Sequence, residues 1–203
     1  MLERLNDPKF KSLRQADNDV LRLLREIQGD PVIAEVGVGI GATTLRMAEI
    51  MDNRGELHIF DREQVANELY GDLVGRGFTN IVNHPNSHRI WDSYHWSMAK
   101  MISEGRAEMF DLVYVDGAHT YLHDGLAFFL SDRLMKVGGL IVFDDYGWRF
   151  SASTAKTKFE NLTQEQRETP QIKMVVDDLV EHHIAFETVV PKKVYRKTTS
   201  VWR

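Results

Sequence analysis

AEVGVGIGATTL, residues 34–45, joins an apolar run to a helix-forming run through three glycines. The residues before it, PVIAEVG (31–37), form a short β-branched stretch that predicts a buried strand. The residues after it, ATTLRMAEIM (42–51), carry helical spacing and stop at Asp52, Asn53 and Gly55. Gly37, Gly39 and Gly41 remove side chains where strand turns into helix, so a flat ligand can lie against backbone and the helix can start close to the sheet. The turn predicts a nucleoside-type cofactor. Gly37-x-Gly39-x-x-Ala42 also satisfies the looser dinucleotide fingerprint, so the turn alone leaves the cofactor open.

Outward from this turn, strand and helix patterns alternate. GELHIFD (55–61), FTNIVN (78–83), FDLVYVD (110–116) and GLIVFDD (139–145) read as strands. Residues 17–28, 63–75, 92–103, 126–135 and 154–168 read as helices. IAFETVV (184–190) and 194–202 have no helix between them and read as a paired hairpin. The pattern predicts a Rossmann-like, doubly wound α/β fold: a mostly parallel seven-stranded sheet ending in an antiparallel hairpin. Ligands in such sheets bind at the carboxyl ends of the strands.

The bulk numbers fit one domain over 1–203, with 1–30 a helical segment that could serve as a short lid. Hydrophobic residues are 43% and charged residues 27%, a globular balance. The net charge of −5 argues against a nucleic-acid partner, and the one dense basic stretch, PKKVYRK (191–197), reads as a solvated segment between late strands. The absence of cysteine excludes disulfides and thiolate metal sites. The opening residues, MLERLNDPKFKSLRQ, contain no apolar signal core, and no run is long enough to span a bilayer, so a cytoplasmic protein without a membrane partner is expected.

The strand ends carry the chemistry. Asp61, ending the second strand, can accept hydrogen bonds from ribose hydroxyls or cap the next helix. Asn86 and Ser87, after the third, lie where an adenine edge or ribose would sit, or form a plain turn. His84 and His88 have i, i+4 spacing, but Pro85 disfavours a helical metal pair. Asp116, Asp144 and Asp145 follow two apolar runs expected to be neighbouring strands. Three carboxylates on one rim repel one another, and a hard divalent cation (Mg2+, Mn2+ or Ca2+) would relieve that repulsion. Each could instead cap its own turn. His119, three residues after Asp116, could act as a base near neutral pH or simply bond to its loop. With His123 and Asp116 it also offers a zinc-like alternative. Tyr121, Tyr146 and Trp148 flank the same rim, as acceptor walls or as packing.

These residues together resemble the class I S-adenosylmethionine-dependent methyltransferases. The carriers are Glu35-x-Gly37-x-Gly39-x-Gly41, Asp61 and GGLIVFDD. More narrowly, VDGAHTY (115–121) and FDDYGW (143–148) look like the small-molecule O-methyltransferases acting on macrolide and aminocoumarin sugars, a group related to the catechol O-methyltransferase type. The resemblance spans about 31–160. It implies that Glu35 and the glycine turn hold the methionine portion of the cofactor, Asp61 the ribose, Asp116, Asp144 and Asp145 magnesium, and that His119 is the base. Asp145 departs from the asparagine common in catechol-type enzymes. The short N-terminal region implies a minimal lid or one lent by a partner, and the family makes a homodimer the expectation. The implied reaction is methyl transfer to a hydroxyl of a sugar, diol or phenol. An amine acceptor, a nicotinamide-dependent oxidoreductase and a non-catalytic cofactor-binding accessory protein are the competing readings.

Overall fold

The computed structural model describes residues 1–87, 92–153 and 159–202. Seven strands form one sheet: β1 Val32–Val36, β2 Glu56–Arg62, β3 Ile81–Asn86, β4 Phe110–Val115, β5 Met135–Phe143, β6 Phe186–Val190 and β7 Val194–Lys197. Their order is β3-β2-β1-β4-β5-β7-β6. β1 to β5 pair in parallel, and β7 is antiparallel to both β5 and β6. The helices are α1 Asn18–Glu26, α2 Ala42–Met51, α3 Glu63–Gly75, α4 Tyr94–Ser103, α5 Tyr121–Leu134, α6 Gln164–Glu168 and α7 Gln171–Met174. After α7 the chain continues through a π-helical stretch, Val175–Val180.

The alternation along each buried strand sorts side chains between two cores. Ile33, Leu57, Ile59, Leu112 and Val142 pack with residues of α1, α2 and α3, including Leu21, Met47 and Leu69. Ala34, Val36, Phe60, Val113 and Ile141 pack with α4, α5 and the 172–180 segment, including Met98, Phe128 and Val176. Both faces are therefore covered, as an apolar parallel sheet requires. Local capping sets the helix starts. The Asp17 carboxylate accepts from Val20 N at 2.9 Å before α1, and the Thr120 hydroxyl accepts from His123 N at 3.1 Å before α5.

Several boundaries differ from the sequence expectation. β3 begins at Ile81, not Phe78, because Thr79 N is engaged by the Asn53 side chain at 2.7 Å in a turn. It runs on through Pro85 to Asn86, which an edge strand tolerates because one row of N–H groups is unused. α5 starts at the Thr120 cap, five residues earlier than expected. β5 runs from Met135 and ends at Phe143, so Asp144 and Asp145 leave the ladder. Of the helix expected over 154–168, residues 154–158 lie outside the described residues, and α6 covers only Gln164–Glu168. The expectation that PKKVYRK is solvated is corrected: Val194, Tyr195 and Lys197 are buried, because this stretch supplies β7 against β5. No helix among the described residues is long and apolar enough to cross a membrane.

Candidate active site

The strand order reverses between β1 and β4, both of which carry a turn at their carboxyl ends. Gly37 N donates to Phe60 O at 2.9 Å and Asp116 N to Val36 O at 2.8 Å, so the glycine turn and the Asp116 loop are fastened to each other and to β2. The three glycines serve different ends. A Cβ on Gly37 would meet the Asp116 carbonyl oxygen at 2.0 Å, and one on Gly41 would meet Leu69 Cδ1 of α3 at 2.5 Å. A Cβ on Gly39 would meet nothing within 4 Å, so Gly39 presents open backbone.

Glu35 lies beneath this turn, 2% exposed, and its Oε2 has no hydrogen-bond partner. Burial pushes its carboxyl up to about 8, and the negative charges of Asp116 and Asp61 push the same way against the neighbouring Thr44. An orphaned acid at this place fits a ligand that brings a positive charge or a donor. Asp61 Oδ2 accepts from Val38 N at 2.9 Å and Oδ1 from Arg62 N at 2.6 Å. It therefore braces the glycine turn from β2. Asn86 is 3% exposed; its amide donates to Asp61 O at 3.0 Å and accepts from Ser97 Oγ at 3.0 Å. It joins β3, β2 and α4, and Ser87 follows with its N–H on Asp92 Oδ2 at 2.6 Å.

Across the rim, His119 Nε2 lies 3.1 Å from Asp116 Oδ1 and 3.0 Å from Asp145 Oδ2. Both His119 and Asp145 have left-handed backbone, φ 58° and 56°. Such strain in non-glycine residues gathers at functional sites. The three side chains keep a solvent-facing side, with exposures of 22%, 32% and 37% for His119, Asp116 and Asp145. For His119, burial opposes the charged form, but the hydrogen bonds and negative charge of the two aspartates outweigh it and push the imidazole up to about 10. Burial and the Asp144 charge push Asp116 up to about 6, while His119 restrains it. The two carboxylates thus favour the charged form of the imidazole.

Asp144 is oriented differently. Its Oδ2 accepts from the Tyr114 hydroxyl at 2.7 Å and its Oδ1 from Asp145 N at 2.8 Å. The same hydroxyl lies 3.4 Å from Asp116 Oδ2. The side chains whose ligand atoms converge within 4.8 Å are therefore Asp116, His119 and Asp145. Two carboxylates and an imidazole nitrogen suit a divalent cation, with Asp144 next to them in sequence. Tyr114 was not singled out by sequence reasoning: within FDLVYVD it reads as one more core residue.

The flanking aromatics separate. The Trp148 ring lies 5.1 Å from that of His119, in a cluster with Phe150 and Phe159. Tyr146 turns away, donating to Asp177 Oδ1 at 2.7 Å, with Lys173 and Lys192 over its ring. Tyr121 opens α5, and its N–H is held by Gln171 at 2.9 Å. His123 is spent on Thr120 and on His95, which contacts its carbonyl. His84 stacks on Phe60 and bonds to His58 at 2.9 Å, and partial burial, with the positive charges of His58 and Arg106, holds its ring down at about 3. His88 lies outside the described residues.

Comparison with known proteins follows the same lines. A search among curated proteins finds no match. Among solved structures, the O-methyltransferase TomG from Streptomyces achromogenes, determined with SAM and involved in tomaymycin synthesis, is similar over 98% of this chain and 89% of its own, at 16% identity and a TM-score of 0.64. The O-methyltransferase from Bacillus cereus, determined with SAH, is similar over 98% and 90%, at 15% identity and a TM-score of 0.62. A SAM-dependent methyltransferase from Aquifex aeolicus follows at 13% identity, 96% and 93% coverage and a TM-score of 0.58. At these identities the likeness is one of fold. The family profile described as a methyltransferase domain matches residues 34–146, the span from β1 to the loop after β5 that holds the glycine turn, Asp61, Asp116, His119 and Asp145. The chain belongs to this methyltransferase family and is an S-adenosylmethionine-dependent methyltransferase of class I.

Proposed function

We propose that this protein transfers a methyl group from S-adenosylmethionine to a hydroxyl of a small molecule (a sugar, diol or phenol), assisted by a divalent cation. The convergence of Asp116, His119 and Asp145 beside the glycine turn carries the reading. Glu35, with its orphaned oxygen, would take the ammonium of the methionine portion, and Gly37, Gly39 and Gly41 would admit the cofactor against backbone. Asp61 would meet the ribose, and Asn86 and Ser87 would frame the adenosine side. Asp116 and Asp145, with Asp144 released from Tyr114, would hold the cation. When bound, the cation would lower the pKa of the acceptor hydroxyl and fix it in line with the sulfonium methyl.

His119 would then take the hydroxyl proton. Asp116 and Asp145 favour its protonated form, so it would serve as a base once a cation takes up their negative charge. The remaining contribution is orientation, since the methyl donor carries the reactive bond. A cation held by carboxylates binds and acidifies an acceptor oxygen, which is why the hydroxyl reading is preferred over an amine.

The test is single-turnover methyl transfer to a panel of diols, phenols, sugars and amines, with and without excess chelator. S-adenosylhomocysteine binding is followed in parallel by calorimetry. His119→Gln and chelation should each abolish transfer while leaving cofactor binding intact. Full activity in excess chelator would overturn the cation's role. Tight cofactor binding with no transfer across the panel would support a non-catalytic role instead.

A further inference from the structure

A half-open cavity of about 570 Å3 lies between α1, α2 and the chain that precedes α1. None of its lining residues belongs to the site above. One stripe of α1 (Leu21, Arg25) faces one stripe of α2 (Leu45, Arg46), and Leu5 and Arg14 close it from the N-terminal side. Ala16 and Ala42 extend the apolar side, and Gln15 and Asn18 join the three arginines on the polar one.

Only part of this charge is paired among the described residues. Arg46 is paired with Glu49 at 2.7 Å. Arg25 reaches only the Leu21 carbonyl, at 3.3 Å, and Arg14 Nε is buried with no hydrogen-bond partner. Among the described residues the nearby acids are spent elsewhere: Glu26 and Asp19 on Arg22, and Asp17 on Lys193. A buried, unpaired guanidinium N–H is costly unless a ligand supplies the acceptor.

We propose that this cavity binds an organic anion, with a carboxylate or phosphate head on Arg14 and Arg25 and a short apolar body along Leu5, Leu21 and Leu45. Guanidinium forks suit either head, and the apolar strip selects against a bare inorganic ion. The site stands independently of the cation-assisted reading, because it shares no residue with it.

Calorimetric titration with hexyl phosphate, hexanoate, hexanol and inorganic phosphate tests the proposal. One of the two hexyl anions should bind saturably and at least about tenfold more tightly than hexanol or inorganic phosphate, and the stronger of the two identifies the head group. Arg14→Gln and Arg25→Gln should each weaken that binding about tenfold, with melting temperature and S-adenosylhomocysteine affinity unchanged. Arg25 is exposed, so its variant keeps the test open should Arg14→Gln misfold. Equal binding of hexanol and the anions would overturn the proposal, as would unchanged binding in both variants. Loss of anion binding on saturation with S-adenosylhomocysteine would place the anion in the cofactor site and overturn it too.

Discussion

The Cα of Gly37 faces the main-chain carbonyl of Asp116 so closely that a Cβ would stand 2.0 Å from the oxygen. The cofactor turn after β1 and the acid-bearing loop after β4 are therefore one packed unit. Gly37 also has φ 86°, which side-chain-bearing residues rarely adopt. Gly37→Ala must push the two strand ends apart, and a destabilisation of about 3 kcal/mol or more is expected. Urea unfolding measures it. The same variant should lose cofactor binding and cation binding together, since one loop cannot move without the other. Loss of only one would show that the turns are mechanically independent.

Glu35 gives a pH dependence with a defined sign. Its folded carboxyl is raised to about 8 from 4.5, so its contribution to stability is full below about pH 4.5 and is lost as pH rises through 8. The loss over that window is on the order of 5 kcal/mol. Glu35→Gln removes the titration. The cofactor-free variant should match the parent near pH 5 and exceed it near pH 8, while binding S-adenosylhomocysteine more weakly. Denaturant melts of both proteins across this range check the sign. Equal pH slopes would show that the carboxyl is not held neutral by burial.

Tyr114 restrains the third aspartate. Its hydroxyl gives Asp144 a 2.7 Å bond and lies within 3.4 Å of Asp116. Burial, together with both negative charges, drives the phenol far above its ordinary range, so it stays a donor. Tyr114→Phe should lower stability by about 1–2 kcal/mol without metal, because Asp144 loses its donor at a crowded acidic rim. Magnesium should recover part of that loss, since a cation supplies what the hydroxyl did. Thermal melts of parent and variant with and without magnesium read the difference. An identical loss in both conditions would separate Tyr114 from the cation.

The glycine turn and the nearness of Asp116 to His119 were legible in the sequence because each sits in one short segment whose spacing sets its geometry, whereas the bond from Val38 N to Asp61 crosses from the turn to β2. Reading β4 and β5 as neighbours put Asp116, Asp144, Asp145 and His119 on one rim, but not the 3.0 Å contact of His119 with Asp145. The orientation of Asp144 was not legible. It depends on Tyr114 lying opposite Val142 in the β4–β5 register, and a tyrosine in an apolar run carries no sign of a polar task. His84 was open to misreading for the same reason: its partners, His58 and Phe60, come from the adjacent strand β2. The structural duty of Asn86 likewise depends on β3 continuing past Pro85, which only its edge position permits.

Lys197 shows the same gap between pattern and partner, and it yields the last prediction. It lies in a basic stretch yet is fully buried, 3.1 Å from Asp132 Oδ1 and 3.2 Å from the Met135 carbonyl. It thereby satisfies backbone at the carboxyl end of α5, where a cation is favoured. Trp202 Nε1 donates to the other Asp132 oxygen at 2.7 Å, so the chain end is tied to the same acid. Lys197→Met leaves Asp132 buried without its counter-charge and should cost about 3–5 kcal/mol. Adding Asp132→Asn removes the stranded charge, so the double variant should be more stable than Lys197→Met alone. Urea unfolding of the parent, both single variants and the double variant measures this coupling. Additive losses would show that the two charges do not support each other. Cofactor affinity per folded molecule should stay unchanged throughout, since neither residue touches the glycine turn or the acidic rim.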